Sequence, residues 1–214
     1  MVICRKRNFI FLRVTKTAST SILHHLLDHI PRDEFDHVAQ NDYVANHDER
    51  HRTKSSISGH ATLGDIIRAN LITHEEIAKM RIYAVMRNPV ERYLSAVHHF
   101  HIGITHKVDF ANHVDIQSNI SNEEAIQKYL DIKFDTATPQ WNWLLFNGSL
   151  INRIVLYPNF KDFFKEVGVP TELKYHHRKE HRKDDTRSEI SQELKNKIIN
   201  LYKKDWEIWN YLNS

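Results

Sequence analysis

Cysteine is almost missing from this chain: Cys4 is the only one in 214 residues. A single thiol excludes an internal disulfide framework and fits a reducing compartment. Long apolar runs are missing too. No stretch approaches the 18 or so apolar residues of a membrane-spanning helix. The first apolar stretch is broken by "CRKRN", and no small-residue cleavage site follows, so residues 1–14 do not read as a secretory leader. The expectation is a soluble, cytoplasmic protein. A dominant charge is also absent. Thirty basic residues against 27 acidic ones leave +3 with histidine neutral, so any anion site must come from local clustering rather than from a global field. No internal repeat, low-complexity tract or linker interrupts the sequence.

What is present suits one globular core. Hydrophobic residues make up 41% and charged residues 27%, a balance that disordered chains do not reach. The length predicts a single domain over residues 1–214. Sixteen histidines make the net charge sensitive to pH below about 7.

The apolar pattern alternates between strand and helix. "NFIFLRV" (8–14) reads as a buried strand. Ile22, Leu23, Leu26, Leu27 and Ile30 form a helical stripe that Pro31 ends. Residues 32–54 read as a polar loop and "SSISGH" (55–60) as a second strand. "LGDIIRANLITHEEIAKM" reads as one or two short helices. "RIYAVM" (81–86) is a strand, and "ERYLSAVHHF" after the "NPV" turn is helical. Residues 103–120 look irregular. A capping box opens "SNEEAIQKYL" at Ser121, and "TPQWNWLLF" reads as a helix. "INRIVLY" (151–157) is a strand and "FKDFFKEV" a helix. A charged loop (171–188) precedes one long amphipathic helix, "ISQELKNKIINLYKKDWEIWNYL". Such alternation predicts an α/β fold with a mostly parallel central sheet flanked by helices. Ligands of these sheets bind at the carboxyl ends of the strands. Three of the expected strands end there at unusual chemistry: Lys16–Ser21, His60 and Arg87.

The first of these joints is "VTKTASTSI". A strand-to-helix turn aims the free N–H groups of the first helical turn at one spot, and the helix dipole favours an anion there. Small residues allow close approach, Thr17, Ser19, Thr20 and Ser21 add hydroxyls, and Lys16 adds a charge. An ordinary N-cap explains one such hydroxyl, not four behind a lysine. No glycine occurs here, so the loop is not a Walker A motif. The second joint is "MRNPVERYLSAV". Arg87 ends a strand and offers a planar fork for a phosphate; Ser95, eight residues on, offers a hydroxyl. A capping arginine and a packed serine are the plainer alternative.

Together the two joints, about 70 residues apart, resemble a known family. "VTKTASTSI" resembles the 5′-phosphosulfate loop of sulfotransferases that use 3′-phosphoadenosine 5′-phosphosulfate (PAPS), and "MRNPVERYLSAV" resembles their 3′-phosphate motif. The likeness is to carbohydrate sulfotransferases of the heparan sulfate and uronyl 2-O type. It implies the P-loop-like, single-domain sulfotransferase fold. It implies further that Lys16 contacts the bridging oxygen of the phosphosulfate and that Thr17, Ala18, Ser19, Thr20 and Ser21 donate to the same group. Arg87 and Ser95 would hold the 3′-phosphate. "SISGHATLGDI" resembles the stretch that carries a catalytic histidine, here His60. The 2-O enzymes carry a second histidine two residues earlier, where this chain has Ser58. In "YHHRKEHRKDDTR", Arg178 and Lys179 resemble a pair that closes over the nucleotide; the rest of that loop reads as solvated charge.

Without the resemblance, His60 is better explained as a histidine packed or capping at a strand end. His98, His99, His101 and His106 lack a zincin spacing, so no metal is expected; PAPS as co-substrate is what the resemblance implies. Trp141, Trp143, Trp206 and Trp209 read mainly as core. The implied activity is transfer of a sulfuryl group to a hydroxyl acceptor, a saccharide by the likeness, with nucleic acid and membranes not expected as partners. The competing readings are an ATP-dependent kinase with a degenerate phosphate loop and a non-catalytic nucleotide- or RNA-binding module.

Overall fold

The computed structural model describes residues 1–39, 57–106, 130, 137–173 and 190–214, and for 98–106 the backbone alone. In chain order the elements are β1 (Val2–Cys4), β2 (Phe9–Leu12), α1 (Ser19–His29), β3 (His37–Val38), α2 (Leu63–Arg68), α3 (His74–Lys79), β4 (Arg81–Met86), α4 (Pro89–His106), α5 (Trp141–Leu144), β5 (Leu145–Phe146), β6 (Ser149–Leu150), β7 (Arg153–Leu156), α6 (Lys161–Val167), α7 (Gln192–Leu201) and α8 (Lys203–Asn213). Two compact units result: Met1–Met86 with Gln140–His176, and Arg87–Pro139 with His177–Ser214.

The first unit is built on a five-stranded sheet in the order β3-β1-β2-β4-β7. The strands β2, β4 and β7 run parallel, with Leu12 opposite Ala84 and Ala84 opposite Ile154. β1 is antiparallel to both of its neighbours. The sheet is therefore mixed and mostly parallel at its centre, as the alternation of elements predicts. Every residue of β2 is buried, which is why "FIFL" reads as a continuous apolar run rather than an alternating one. On one face Val2, Cys4, Phe9, Phe11, Tyr83 and Val85 pack with Ile22, Leu23, Leu26 and Leu27 of α1 and Phe163, Phe164 and Val167 of α6. The Phe163 ring lies 5.5 Å from Phe11 and 4.5 Å from Tyr83. This aromatic contact fixes α6 against the sheet, while Ile22, Leu23, Leu26 and Leu27 hold α1, and with it the loop that precedes α1, to the same cluster.

Several elements differ from the sequence expectation, each for a local reason. β1 was hidden because "RKRN" looks like a break; it is a hairpin turn, closed by the Asn8 amide on the Arg5 carbonyl with Asn8 at φ 56°. Ile57–His60 is a bend and turn, not a strand. "TPQWNWLLF" forms only one helical turn before the β5–β6 hairpin, whose Asn147 and Gly148 sit at φ 50° and 80°. That Asn-Gly pair is a hairpin signal in its own right. The stretch "LGDIIRANLITHEEIAKM" forms two helices, each opened by a capping box, at Thr62 and at Thr73. α4 continues to His106 rather than ending near residue 103. The loop expected over 32–54 contains the edge strand β3. The expected "SNEEAIQKYL" helix and most of the 171–188 loop lie outside the described residues. No helix among the described residues is long and apolar enough to cross a membrane.

The second unit contains α4, α7 and α8. Tyr93, Leu94, Ala96 and Val97 of α4 pack with Ala137, Ile190, Leu194, Ile198 and Tyr202. The expected single C-terminal helix breaks at Tyr202, whose backbone leaves the helical region at φ −110°, ψ 35°. Its hydroxyl donates to the Ala137 carbonyl at 2.6 Å. Arg92 is fully buried there. Its guanidinium stands 5.4 Å over the Tyr202 ring, and Nη2 reaches the Ala137 carbonyl at 3.4 Å. Burial pushes the Arg92 pKa down, and the buried Asp205 carboxylate opposes that shift. Asp205→Asn, which leaves Arg92 buried without its counter-ion, is expected to cost about 3–5 kcal/mol in urea unfolding. A loss below about 1 kcal/mol would show that the guanidinium does not depend on that carboxylate.

Candidate functional site

β2 and β4 are parallel neighbours, so the chain leaves both at the same edge of the sheet. After β2 it passes through Arg13, Val14 and the turn Thr15–Ala18 into α1. Lys16 and Ala18 both adopt the left-handed conformation, each at φ 62°, with Thr17 between them on the ordinary side. Alternation of hand along a backbone turns successive N–H groups inward, the concave arrangement that receives anions. The N-cap of α1 is Ala18, and no side chain caps the helix. The hydroxyls that follow are therefore not ordinary caps, and the first-turn N–H groups keep the polarity that attracts an anion.

The hydroxyls divide their work. Thr17 is fully buried and donates to the Val14 carbonyl at 3.0 Å, closing the turn on itself. Its hydroxyl hydrogen is committed to that bond, which leaves the N–H as its available donor. Thr20 accepts from Arg13 Nη2 at 3.1 Å, which leaves its own hydroxyl hydrogen to donate. Ser19 and Ser21 are buried in the first turn of α1.

His60 sits in a turn rather than at a strand end. Four contacts hold it. Its N–H donates to Ser58 Oγ at 3.1 Å, and its carbonyl accepts from Trp143 Nε1 at 2.8 Å. Its ring Nδ1 lies 2.6 Å from the Arg13 carbonyl, and the preceding Gly59 carbonyl accepts from the Met1 amino group. A carbonyl only accepts, so Nδ1 carries the proton and Nε2 bears the free lone pair. Ser58, which stands where the 2-O enzymes have a histidine, builds the turn that carries His60. Burial, then the charges of Arg13, the Met1 amine and Lys16, push the His60 pKa down to about 4, against the opposing bond to the Arg13 carbonyl. The imidazole is neutral at pH 7, and the charge of Lys16 reaches it. The structure thus brings together Lys16, the loop to Ser21 and His60.

The second motif reads clearly in its own unit. Asn88 Oδ1 accepts from the amides of Val90 and Glu91 at 3.0 and 3.3 Å, capping α4, and Pro89 occupies its first position. Both choices are favoured at a helix start. Arg87 is 8% exposed and forms an ion pair with Glu91, Nε to Oε2 at 3.3 Å; Ser95 is 6% exposed, two turns into α4. Arg178 and Lys179 lie outside the described residues, as do the other cations of that loop. Of His98, His99, His101 and His106, only the backbone within α4 is described. Among the described residues no cluster of His, Cys, Asp or Glu could hold a metal ion.

Two residues at this site escape sequence reasoning. Trp143 looks like core and is 5% exposed, yet its indole anchors the His60 peptide. Arg13 looks like the frayed end of a strand, yet it is 1% exposed. An arginine inside "FIFLRV" was the available signal for the second; nothing in the sequence marked the first.

The first unit thus places an uncapped helix start, entered through two left-handed residues, after the first of its three parallel strands. The family model described as "Sulfotransferase family" matches residues 1–138, well over half of the chain. The chain belongs to the sulfotransferase family, and the class of reaction is sulfuryl transfer. No curated protein and no solved structure matches it significantly.

The depressed His60 pKa has a thermodynamic consequence. An unfolded histidine titrates near 6.5, so below that pH the unfolded chain binds a proton that folded His60 refuses until about pH 4. Its neutral form thus contributes stability above pH 6.5 that is lost as pH falls toward 4, up to about 3 kcal/mol. His60→Asn is expected to flatten the fall in urea midpoint between pH 6.5 and 4. An unchanged slope would show that His60 does not titrate this way.

Proposed function

We propose that this chain transfers the sulfuryl group of PAPS to an acceptor hydroxyl, with His60 as the base. The observation that carries the reading is the neutral His60 imidazole, oriented by the Arg13 carbonyl so that Nε2 is its basic atom, within the field of Lys16 at an uncapped helix start. In this reading the loop 16–21 cradles the 5′-phosphosulfate. Lys16 offsets the charge that grows on the bridging oxygen. Arg87 and Ser95 take the 3′-phosphate, a group ATP lacks. Arg178 and Lys179 close over the nucleotide. The acceptor, by resemblance, is a saccharide.

The step balances simply. The acceptor oxygen attacks sulfur in line as His60 Nε2 takes its proton. The bond from sulfur to the phosphate oxygen breaks, and its electron pair leaves with the product nucleotide, 3′-phosphoadenosine 5′-phosphate (PAP). Most of the work is positioning and charge stabilisation, as in phosphoryl transfer. Removing Lys16 is expected to lower kcat by about 10²–10³, the loss typical of one oxyanion donor.

Calorimetric titration of PAP against ATP with Mg²⁺, followed by an acceptor screen with labelled PAPS, tests the reading. PAP should bind and ATP should not. Preference for ATP would favour a kinase, and PAP binding with no turnover on any acceptor would favour a binding module. His60→Ala is expected to abolish transfer and leave PAP affinity within about twofold, since the base does not hold the nucleotide. Turnover at the wild-type rate in that variant would remove His60 from the mechanism.

A further inference from the structure

The first unit buries an arginine that the fold does not use. Arg13 is 1% exposed, and among the described residues its side-chain hydrogen bond is from Nη2 to the Thr20 hydroxyl at 3.1 Å. Nε and Nη1 are buried with no hydrogen-bond partner among the described residues. Arg92, the other fully buried arginine, has Asp205, the Tyr202 ring and the Ala137 carbonyl around it. An isolated buried charge is among the most costly things a fold can carry, and it persists where something outside the chain completes it.

Its direction is given by Thr20. The bond from Nη2 places the guanidinium against the first turn of α1, an eleven-residue helix. The same residue's carbonyl holds the His60 ring. We propose that the Arg13 guanidinium is an anion-binding group of the site, completed by the 5′-phosphate oxygens of the bound donor, so that donor occupancy and the proton affinity of His60 are coupled through it. This rests on the reading of loop 16–21 as the donor's cradle. The charges that act on His60 are Arg13, the Met1 amine and Lys16. While Arg13 lacks its counter-ion it repels a proton from the imidazole. A donor anion beside Arg13 and Lys16 cancels that repulsion, so the base gains proton affinity only when a sulfuryl group is there to transfer.

The variant Arg13→Met keeps the length and apolar stem and removes the charge. It should melt no lower than the wild type without ligand, because an unpaired buried charge is gone. Its affinity for PAP and for inorganic pyrophosphate, measured by calorimetry, should fall about 10- to 100-fold, as for lost charged hydrogen bonds. A group that only supported the fold would give the opposite pattern, a lower melting temperature with ligand affinity retained. Affinity within about twofold of wild type for both ligands overturns the proposal. If the wild type binds pyrophosphate in an Arg13-dependent way but not PAP, the anion site stands and the PAPS reading fails. If the wild type binds neither, both fail. A measurement on the unaltered protein covers a variant that does not fold: the His60 ring resonances, assigned by their absence in His60→Asn, should titrate at higher pH with PAP bound than without it. An unchanged titration refutes the coupling.

Discussion

The hydrogen bond from the His60 ring to the Arg13 carbonyl, 2.6 Å long, joins two segments that are far apart in sequence, and the rest of the site depends on it. It selects the imidazole tautomer and leaves Nε2 as the basic atom. It also ties the turn that carries His60 to the end of β2, whose position is set by the sheet. The indole of Trp143 and the hydroxyl of Ser58 hold the same residue from other sides. An imidazole held through its backbone and through one ring nitrogen keeps its orientation without support from a ligand, which is what the proposed proton transfer requires.

That arrangement has a conformational cost. Lys16 and Ala18 are non-glycine residues in the left-handed region, at about 1–2 kcal/mol each. Arg13 adds a buried guanidinium beside them, whose Nε and Nη1 have no hydrogen-bond partner among the described residues. Within the loop, the Thr17 hydroxyl bond to the Val14 carbonyl opposes these terms. The packing behind it does so too: α1 is pressed onto the sheet by Leu23, Leu26 and Leu27, and α6 brings Phe163 and Phe164 to the same cluster. The strain lies in the loop at Lys16 and Ala18, and the core that holds it is conventional.

Sequence reasoning reached the parts of this design that depend on local chemistry. Small hydroxyl residues behind a lysine, or Arg-Asn-Pro before an apolar helix, can be read from neighbours in the chain, because capping, dipole and turn chemistry act over three or four residues. β2, β4 and β7 were legible for the same reason, since fully buried strands are continuous apolar runs. β1 was not, because three residues before a charged hairpin carry too little pattern. The tight turn at His60 was read as a strand on slight local pattern, since Ile57 is the one apolar side chain of "SSISGH". Its actual shape comes from partners at positions 1, 13 and 143. The break at Tyr202 is set by a hydroxyl contact with Ala137, a constraint that helix periodicity cannot register.

Arg13 shows most clearly where a local reading ends. In sequence it is one arginine at the end of a strand, and strands often end on charge. Burial turns it into a different object, because a guanidinium removed from water needs either an acid or a ligand. Arg92 in the second unit meets that need with Asp205, and so belongs to the architecture. Among the described residues Arg13 has a single hydroxyl, and burial pushes even its pKa down to about 10. Two arginines equally hidden from solvent therefore carry opposite meanings, and the difference lies in the company each keeps. A buried cation supplied with its anion stabilises a fold, whereas one left without an anion makes the empty protein less stable than the loaded one. The second condition is the physical signature of a binding group.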